Sequence, residues 1–238
     1  MPAIFHVTHW KAGSQWIYRI LHQCARERIV KPQRGNEQFT RGPVQQGKVY
    51  PTLYVTKEEF DSAALPGRWY RFVVIRDLRD TLASAYFSWK FSHPLLSSSL
   101  AGARRRLQAC SMEEGLLYMI DEWLPGCARI QESWLRSGER LIRYEDLLER
   151  DLEILEPLLL DEAGLPVSPE RFRAVVLVNR FENVTRGRRR GQEDVAAHER
   201  KAVPGDWRNH FTKRVNEVMK AQYGELLMAT GYERDVGW

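Results

Sequence analysis

The chain has 238 residues, of which 43% are hydrophobic and 28% charged, an ordinary globular composition with enough residues for a large core. Lysine and arginine outnumber aspartate and glutamate by 36 to 31, an excess that favours anionic ligands only weakly. The sequence has neither a long apolar run nor a basic start followed by an apolar stretch, so we expect no membrane span and no signal peptide. Three widely spaced cysteines are typical of a reducing compartment, which predicts a cytoplasmic protein.

The predicted elements alternate between strands and helices. Strand patterns cover residues 3–8, 48–55, 69–77 and 140–147, the last of which runs into a helix. Helical patterns cover residues 14–28, 56–60, 79–91, 111–136, 149–163, 169–177 and 210–230. The stretches predicted to be irregular are rich in glycine, proline, serine or charged residues, and they cover residues 30–47, 93–105 and 182–206. This alternation indicates an α/β fold, a single three-layer domain over residues 1–238 with a mainly parallel central sheet flanked by helices.

Three local features add detail to these elements. Ser14 is a candidate cap for the first helix. Pro51, inside the second strand, indicates a sheet edge or a bulge. Thr56 and Glu59 have the spacing of a capping box, which would start the following helix.

The first strand runs into the turn "THWKAGSQW", residues 8–16. Gly13 lets the backbone turn sharply there, and the amides of a helix start attract anions. Lys11 adds a positive charge, and Ser14 and Gln15 add donors, so the turn is P-loop-like. It lacks the Walker order because its lysine precedes its glycine, and a plain connecting turn explains it equally well.

A second charged loop follows the most apolar strand, in "VVIRDLRDTLASAYFS". Arg76 stands at the end of this buried strand, where a charge is costly unless an anion meets it. Ser84 lies about two helical turns further on, and arginine with serine suits a phosphate. An ion pair of Arg76 with Asp77 or Asp80 is an equally simple interpretation.

A third segment, "RKAVPGDWRNHFT", begins with Arg200 and Lys201. Alone, such a pair would indicate only solvated surface. Together, "WKAGSQW", "VIRDLRDTLASAYF" and this segment resemble the cytosolic-type sulfotransferase family in order and spacing, over about residues 4–232. Members of that family transfer a sulfonyl group from 3′-phosphoadenosine 5′-phosphosulfate (PAPS) to an acceptor and release 3′-phosphoadenosine 5′-phosphate (PAP).

The resemblance implies a donor site built from all three segments. It assigns the 5′-phosphosulfate to Lys11, Ala12, Gly13, Ser14, Gln15 and Trp16. It assigns the 3′-phosphate to Arg76, Ser84, Arg200 and Lys201. It assigns the adenine to Trp16, Tyr144 and Phe181. The implied reaction is an in-line transfer to a hydroxyl or amine of a small molecule or glycan, without a metal, with Lys11 stabilising the charge that develops on the leaving phosphate.

Two positions depart from the family. Its usual base is a histidine at the end of the strand before the arginine-bearing one, and residues 48–60 contain none. The candidates here are Glu58, His93 and His9, although Glu58 also fits an ordinary first-turn acid. Ala202 replaces a family glycine and makes a backbone contact to the 3′-phosphate harder to form.

Other interpretations stay open at this point. Lys213 stands where a family dimer contact has valine, so a homodimer is not firmly indicated. A kinase-like transferase would need the Walker lysine. The basic runs at 103–107 and 186–191 suggest nucleic-acid binding, but most aromatic residues have core positions, so we expect no nucleic-acid partner. Acceptor contacts are expected in the irregular stretches 31–47, 88–105 and 182–198.

Overall fold

The computed structural model describes residues 1–94, 97–235 and 237–238. Its strands are β1 Ala3–Thr8, β2 Val49–Leu53, β3 Trp69–Ile75 and β4 Leu141–Arg143. Its helices are α1 Ser14–Ala25, α2 Glu37–Thr40, α3 Lys57–Asp61, α4 Leu78–Phe87, α5 Ser98–Ala109, α6 Met112–Glu122, α7 Leu124–Arg136, α8 Tyr144–Glu156, α9 Pro169–Val178, α10 Phe181–Val184 and α11 Lys213–Ala229. Wider π-helical turns, Ser88–Ser92 and Pro157–Glu162, continue α4 and α8.

The strands form one parallel sheet in the order β2-β1-β3-β4. Strand β1 pairs in parallel with both β2 and β3, and β3 pairs in parallel with β4. The predicted α/β fold with a parallel central sheet is therefore confirmed. The carboxyl ends of all four strands lie along one edge of the sheet, which is where parallel sheets bind their ligands.

Strand β2 is an edge strand and also contains a bulge, as its proline predicted. Phe5 pairs with Tyr50 and Val7 with Leu53, so β2 has one residue more than β1 over this interval. Thr52, inside the bulge, has a φ of 56°, an unusual value for a β-branched residue. Its amide donates to Nδ1 of the buried His6 at 3.3 Å, and its hydroxyl donates to the preceding carbonyl. These bonds offset a strain on the order of 1–3 kcal/mol.

The chain divides into two compact units, Met1–Arg76 with Arg129–Gly187, and Asp77–Ala128 with Arg188–Trp238. The first unit contains the sheet, which has helices on both faces. On one face, the sheet side chains of Ile4, Val74 and Ile142 pack with α1, α8 and α9. On the other face, Phe5 contacts aromatic rings of α2 and α3 at centroid distances of 5.6 and 5.2 Å.

The second unit is helical. Its core joins α4, α6, the first part of α7 and α11 through buried aliphatic, aromatic and methionine side chains. Arg79 of α4 is also buried there, with 1% of its surface exposed. Its guanidinium pairs with Asp77 and Glu233 and makes cation–π contacts with the rings of Trp207 and Trp238, 4.2 and 4.3 Å away.

Two further local predictions were wrong, and another was confirmed. The cap position of α1 is Gly13, and Ser14 is the first helical residue with no capping bond. The stretch predicted as a loop at 93–105 contains the start of α5, because Ser97 caps it and Leu107 is fully buried. Leu95 and Leu96 of that stretch lie outside the described residues. The predicted capping box of Thr56 and Glu59 is present.

Among the described residues, none of the helices combines the length and the apolar character that crossing a bilayer requires.

Candidate functional site

In the first unit, the residue that directly follows each strand carries a ring or a guanidinium. These four residues are His9 after β1, Tyr54 after β2, Arg76 after β3 and Tyr144 after β4. Parallel strands bring their carboxyl ends to one edge, so the topology gathers these side chains there. The turn after β1, residues 9–13, leads into α1 at the same edge.

The turn after β1 has a sharply folded backbone. Lys11 and Gly13 have φ values of 67° and 78°, and the Gly13 carbonyl accepts from the amides of Trp16 and Ile17. A Cβ atom on Gly13 would lie 2.6 Å from Cδ2 of Tyr144. Glycine is therefore required at this position both by the left-handed backbone and by the neighbouring ring.

Arg76 lies against the same turn. It is 9% exposed, and its Nη1 donates to the Lys11 carbonyl at 2.9 Å. Its guanidinium also lies 4.9 Å from the ring centre of Tyr144, in a cation–π contact. The structure thus brings together Lys11, Gly13, Arg76 and Tyr144, which the family resemblance assigned to three parts of one donor.

His9 is a buried residue whose ring connects the turn after β1 to Arg76 by hydrogen bonds. It is fully buried, and its Nδ1 lies 2.9 Å from the Trp10 carbonyl, which can only accept, so Nδ1 carries the proton. Nε2 then accepts from the Arg76 amide at 3.1 Å and from the Gln131 side-chain amide at 2.8 Å. Burial lowers the pKa of His9 to about 4. Both ring nitrogens are used by protein groups, which suits a structural link between β1 and β3.

Tyr54 is a residue that sequence reasoning missed. Its hydroxyl donates to Oγ of Ser14 at 3.0 Å, and its ring stacks on Trp10, with centroids 4.9 Å apart. Residues 48–55 were predicted as one strand, but β2 ends at Leu53 and leaves Tyr54 at the carboxyl edge of the sheet.

The remaining predicted residues of this unit vary in exposure. Ala12 is fully buried and Ser14 is 7% exposed, whereas Gln15 is exposed. Trp16 meets Tyr144 edge-on, with ring centroids 6.2 Å apart. Phe181, at the start of α10, is 7% exposed.

In the second unit, Arg200 and Lys201 share one buried carboxylate. Arg200 Nη2 and Lys201 Nζ lie 2.5 Å from the two oxygens of Asp206, which is 4% exposed. His210 contacts the same carboxylate at 3.0 Å. Although burial opposes it, hydrogen bonds from His210 and Lys201 keep the pKa of Asp206 well below its ordinary value.

A second carboxylate joins this segment to α4. Asp80 accepts from the amides of Gly205 and Trp207 at 2.7 and 3.0 Å. Ser84 lies one turn further along the same helix. The motif of α4 and the "RKAVPGDW" motif, far apart in sequence, are therefore neighbours within the second unit.

The backbone of the Arg200 segment is fixed by Arg188. Its guanidinium donates to the carbonyls of Glu199 and Arg200 at 2.6 and 3.0 Å, so one arginine of the basic run at 186–191 has a structural contact. Ala202 has a φ of 51°. The alanine thus adopts a left-handed backbone that a glycine would take more easily, at a cost of about 1–2 kcal/mol.

Solved structures provide the comparison. The mouse sulfotransferase SULT7A1 complexed with PAP is similar over 98% of this chain and 86% of its own, with a TM-score of 0.65 and 16% identity. The chain has the sulfotransferase fold. Retinol dehydratase has the same fold in two structures, one with androsterone and PAP and one with retinol and PAP. These match 94% of this chain and 80% and 81% of theirs, with TM-scores of 0.55 and 0.53 and identities of 12% and 13%.

No protein-family model and no curated protein matches the chain.

Within this sulfotransferase fold, the other candidate bases lie on separate elements. Glu58 is an exposed residue in the first turn of α3. A backbone hydrogen bond and the Thr56 hydroxyl lower its pKa, which makes it a weaker base. His93 ends the π-helical turn after α4, where its amide donates to the Ser88 carbonyl at 2.7 Å.

One group of the second unit has the spacing of metal ligands. Ligand atoms of Glu193, Asp206 and His210 lie within 4.8 Å of one another. The Asp206 carboxylate is already bound by Arg200 and Lys201, whose charges would repel a cation. This group therefore fits an ion-pair network better than a metal site.

Proposed function

We propose that this protein is a PAPS-dependent sulfotransferase that acts on a hydroxyl or amine of a small molecule or glycan. The observation that carries the proposal is the contact of Arg76 and Tyr144 with the turn of Lys11 and Gly13, at the carboxyl edge of a parallel sheet. The occurrence of PAP in the similar solved structures supports the choice of donor.

The residues of the first unit fit a phosphosulfate group chemically. The folded turn presents the amides of a helix start, which attract anions. Lys11 supplies positive charge, and Ser14 supplies a hydroxyl. Arg76, which lies against the same turn, keeps its predicted role as a ligand of the 3′-phosphate. Gly13 keeps the turn open, since any side chain there would meet Tyr144. Trp16, Tyr144 and Phe181 keep their predicted role as adenine contacts.

In the second unit, Ser84, Arg200 and Lys201 keep their predicted role as ligands of the 3′-phosphate. Asp206 bears on that role because its carboxylate already pairs with both cations. With Asp206 in place, Arg200 and Lys201 have defined positions, and a phosphate has to share them with the carboxylate.

The proposed reaction forms a bond between the acceptor oxygen or nitrogen and sulfur while the bond from sulfur to the bridging oxygen breaks. The bridging electron pair stays on the phosphate of PAP, and Lys11 and the amides of its turn stabilise that developing charge. The acceptor proton passes to a base. His9 has both nitrogens in hydrogen bonds to protein groups, which leaves Glu58 and His93 as candidates.

Two substitutions test these roles. Lys11→Ala should lower kcat by about 100-fold or more, because the lost charge acts on the transition state. Arg76→Ala should mainly weaken PAP binding. The measurement is PAP release from PAPS over a panel of hydroxyl and amine acceptors, together with PAP affinity by calorimetry.

Lys48→Ala is the matched control, because Lys48 donates to an exposed carbonyl of Glu27 and has no part in the proposed site. Full activity of Lys11→Ala would show that the turn after β1 does not hold the reacting group.

A further inference from the structure

Several contacts fix the position of Tyr54, a residue to which the proposed function gives no role. It directly follows β2, just after the bulge at Thr52. The extra residue of a bulge bends its strand and re-aims the side chains that follow. A costly left-handed backbone at a β-branched residue is typical of a functional site, and here it directs the end of β2 toward the turn of Ser14.

The backbone and the ring of Tyr54 are both fixed. The side-chain amide of Asn36 bonds both the amide and the carbonyl of Tyr54, each at 3.0 Å. Its ring stacks on Trp10 with the planes 21° apart. Its hydroxyl is thereby held at 3.0 Å from Oγ of Ser14.

The hydrogen bond to Ser14 has a direct chemical consequence. A serine hydroxyl that accepts one hydrogen bond still has its own proton to donate. Ser14 is the first residue of α1, beside Gly13 in the turn that suits an anion. A donor on its oxygen therefore sets the direction in which the Ser14 proton can point.

We infer that Tyr54 is a positioning residue that orients the Ser14 hydroxyl as a donor to the 5′ anionic group of the nucleotide. This inference rests on the proposed function, because it needs an anion in the turn after β1. Tyr54 itself acts through Ser14 and not on the reacting atoms.

The test is a double-mutant cycle on PAP affinity, measured by calorimetry with wild-type protein, Tyr54→Phe, Ser14→Ala and the double variant. Phenylalanine keeps the ring that stacks on Trp10 and removes only the hydroxyl. We expect Ser14→Ala to weaken PAP binding about tenfold or more and Tyr54→Phe about fivefold, as for the loss of a hydrogen bond. The double variant should bind no more weakly than Ser14→Ala, because the effect of Tyr54 passes through Ser14.

Tyr70→Phe is the matched control. Tyr70 lies near the start of β3, and its hydroxyl donates to Glu162, so this substitution also removes a bonded tyrosine hydroxyl. It should leave PAP affinity unchanged. The inference would be overturned if Tyr54→Phe bound PAP as tightly as the wild type, or if the losses of the two single variants added in the double variant. In either case, PAP binding by the wild-type protein would still support the proposed function. Absence of PAP binding by folded wild-type protein would overturn both.

Discussion

Gly13 and Tyr144 meet so closely that the residue at position 13 decides whether the turn after β1 can form. We predict that Gly13→Ala lowers the free energy of unfolding by about 2–4 kcal/mol, from left-handed backbone strain and from the clash with the ring. It should also abolish PAP binding. Urea unfolding and calorimetry measure the two effects.

Gly138→Ala is the control that measures left-handed backbone strain without a steric clash. Gly138 has a similar φ of 71° with no atom within 4 Å of an added Cβ, so it should cost only about 1 kcal/mol. Equal losses at the two positions would mean that the Tyr144 ring does not limit position 13.

The buried histidines predict a pH dependence of stability. Burial lowers the pKa of His9 to about 4 and that of His6 to about 3, below the ordinary value near 6.5. Between these values the unfolded chain binds more protons than the folded one. Stability should therefore rise with pH across this window and fall as the pH drops from about 6.5 toward 4, by up to about 1.4 kcal/mol per pH unit for each histidine.

His9→Gln isolates one of these contributions, because the glutamine oxygen can still accept from the Arg76 amide. The slope of unfolding free energy between pH 5 and pH 6, measured in urea, should become less steep in the variant. An unchanged slope would show that His9 is not held neutral in the folded protein.

At the level of single residues, the sequence singles out charges and a glycine at strand ends but not their surroundings. Lys11, Gly13 and Arg76 stand out because a charge or a glycine directly after a buried strand is uncommon unless a turn or an anion requires it. Tyr54 could not be predicted, because one extra residue in β2 changes where the strand ends. The hydrogen bonds of the two His9 nitrogens could not be predicted either, because their partners at positions 10, 76 and 131 are not connected by any local sequence pattern.

Among the elements, α4 and the segment of Gly205 and Trp207 depend on Asp80. We predict that Asp80→Ala lowers the free energy of unfolding by about 2–5 kcal/mol, because two amides lose their buried acceptor. Asp80→Asn, which keeps one acceptor oxygen, should lose less. Urea unfolding measures both.

Asp61→Ala is the comparison, because Asp61 is an exposed carboxylate that pairs with Lys57 on the same helix. It should lower the free energy of unfolding by less than about 0.5 kcal/mol. An Asp80→Ala loss as small as that of Asp61→Ala would contradict the role of Asp80 in holding the two motifs together.

The elements themselves were largely predictable, and α5 shows the limit. Its serines and Gly102 predicted a loop, yet Ser97 caps the helix and Ala103 and Leu107 are buried one turn apart. Tertiary burial outweighs the low helix propensity of this stretch. All four strands coincide with predicted strand patterns, and β3 was the clearest because a buried parallel strand leaves a continuous apolar run.

For the whole molecule, identities of 12% to 16% to the similar structures leave the fold recognisable through a few short motifs. Those motifs lie at strand ends and at one helix of the second unit, where backbone geometry limits which residues fit. The acceptor was not predictable, since the irregular stretches assigned to it carry no comparable constraint.

Thermal unfolding with increasing PAP tests directly whether the protein binds the sulfonyl donor. We predict a melting temperature that rises with PAP concentration, with a stabilisation of about 2.7 kcal/mol at 100 times the dissociation constant. Adenosine 5′-phosphate, which lacks the 3′-phosphate, should stabilise the protein less. An unchanged melting temperature of the folded protein at millimolar PAP would contradict the proposed function.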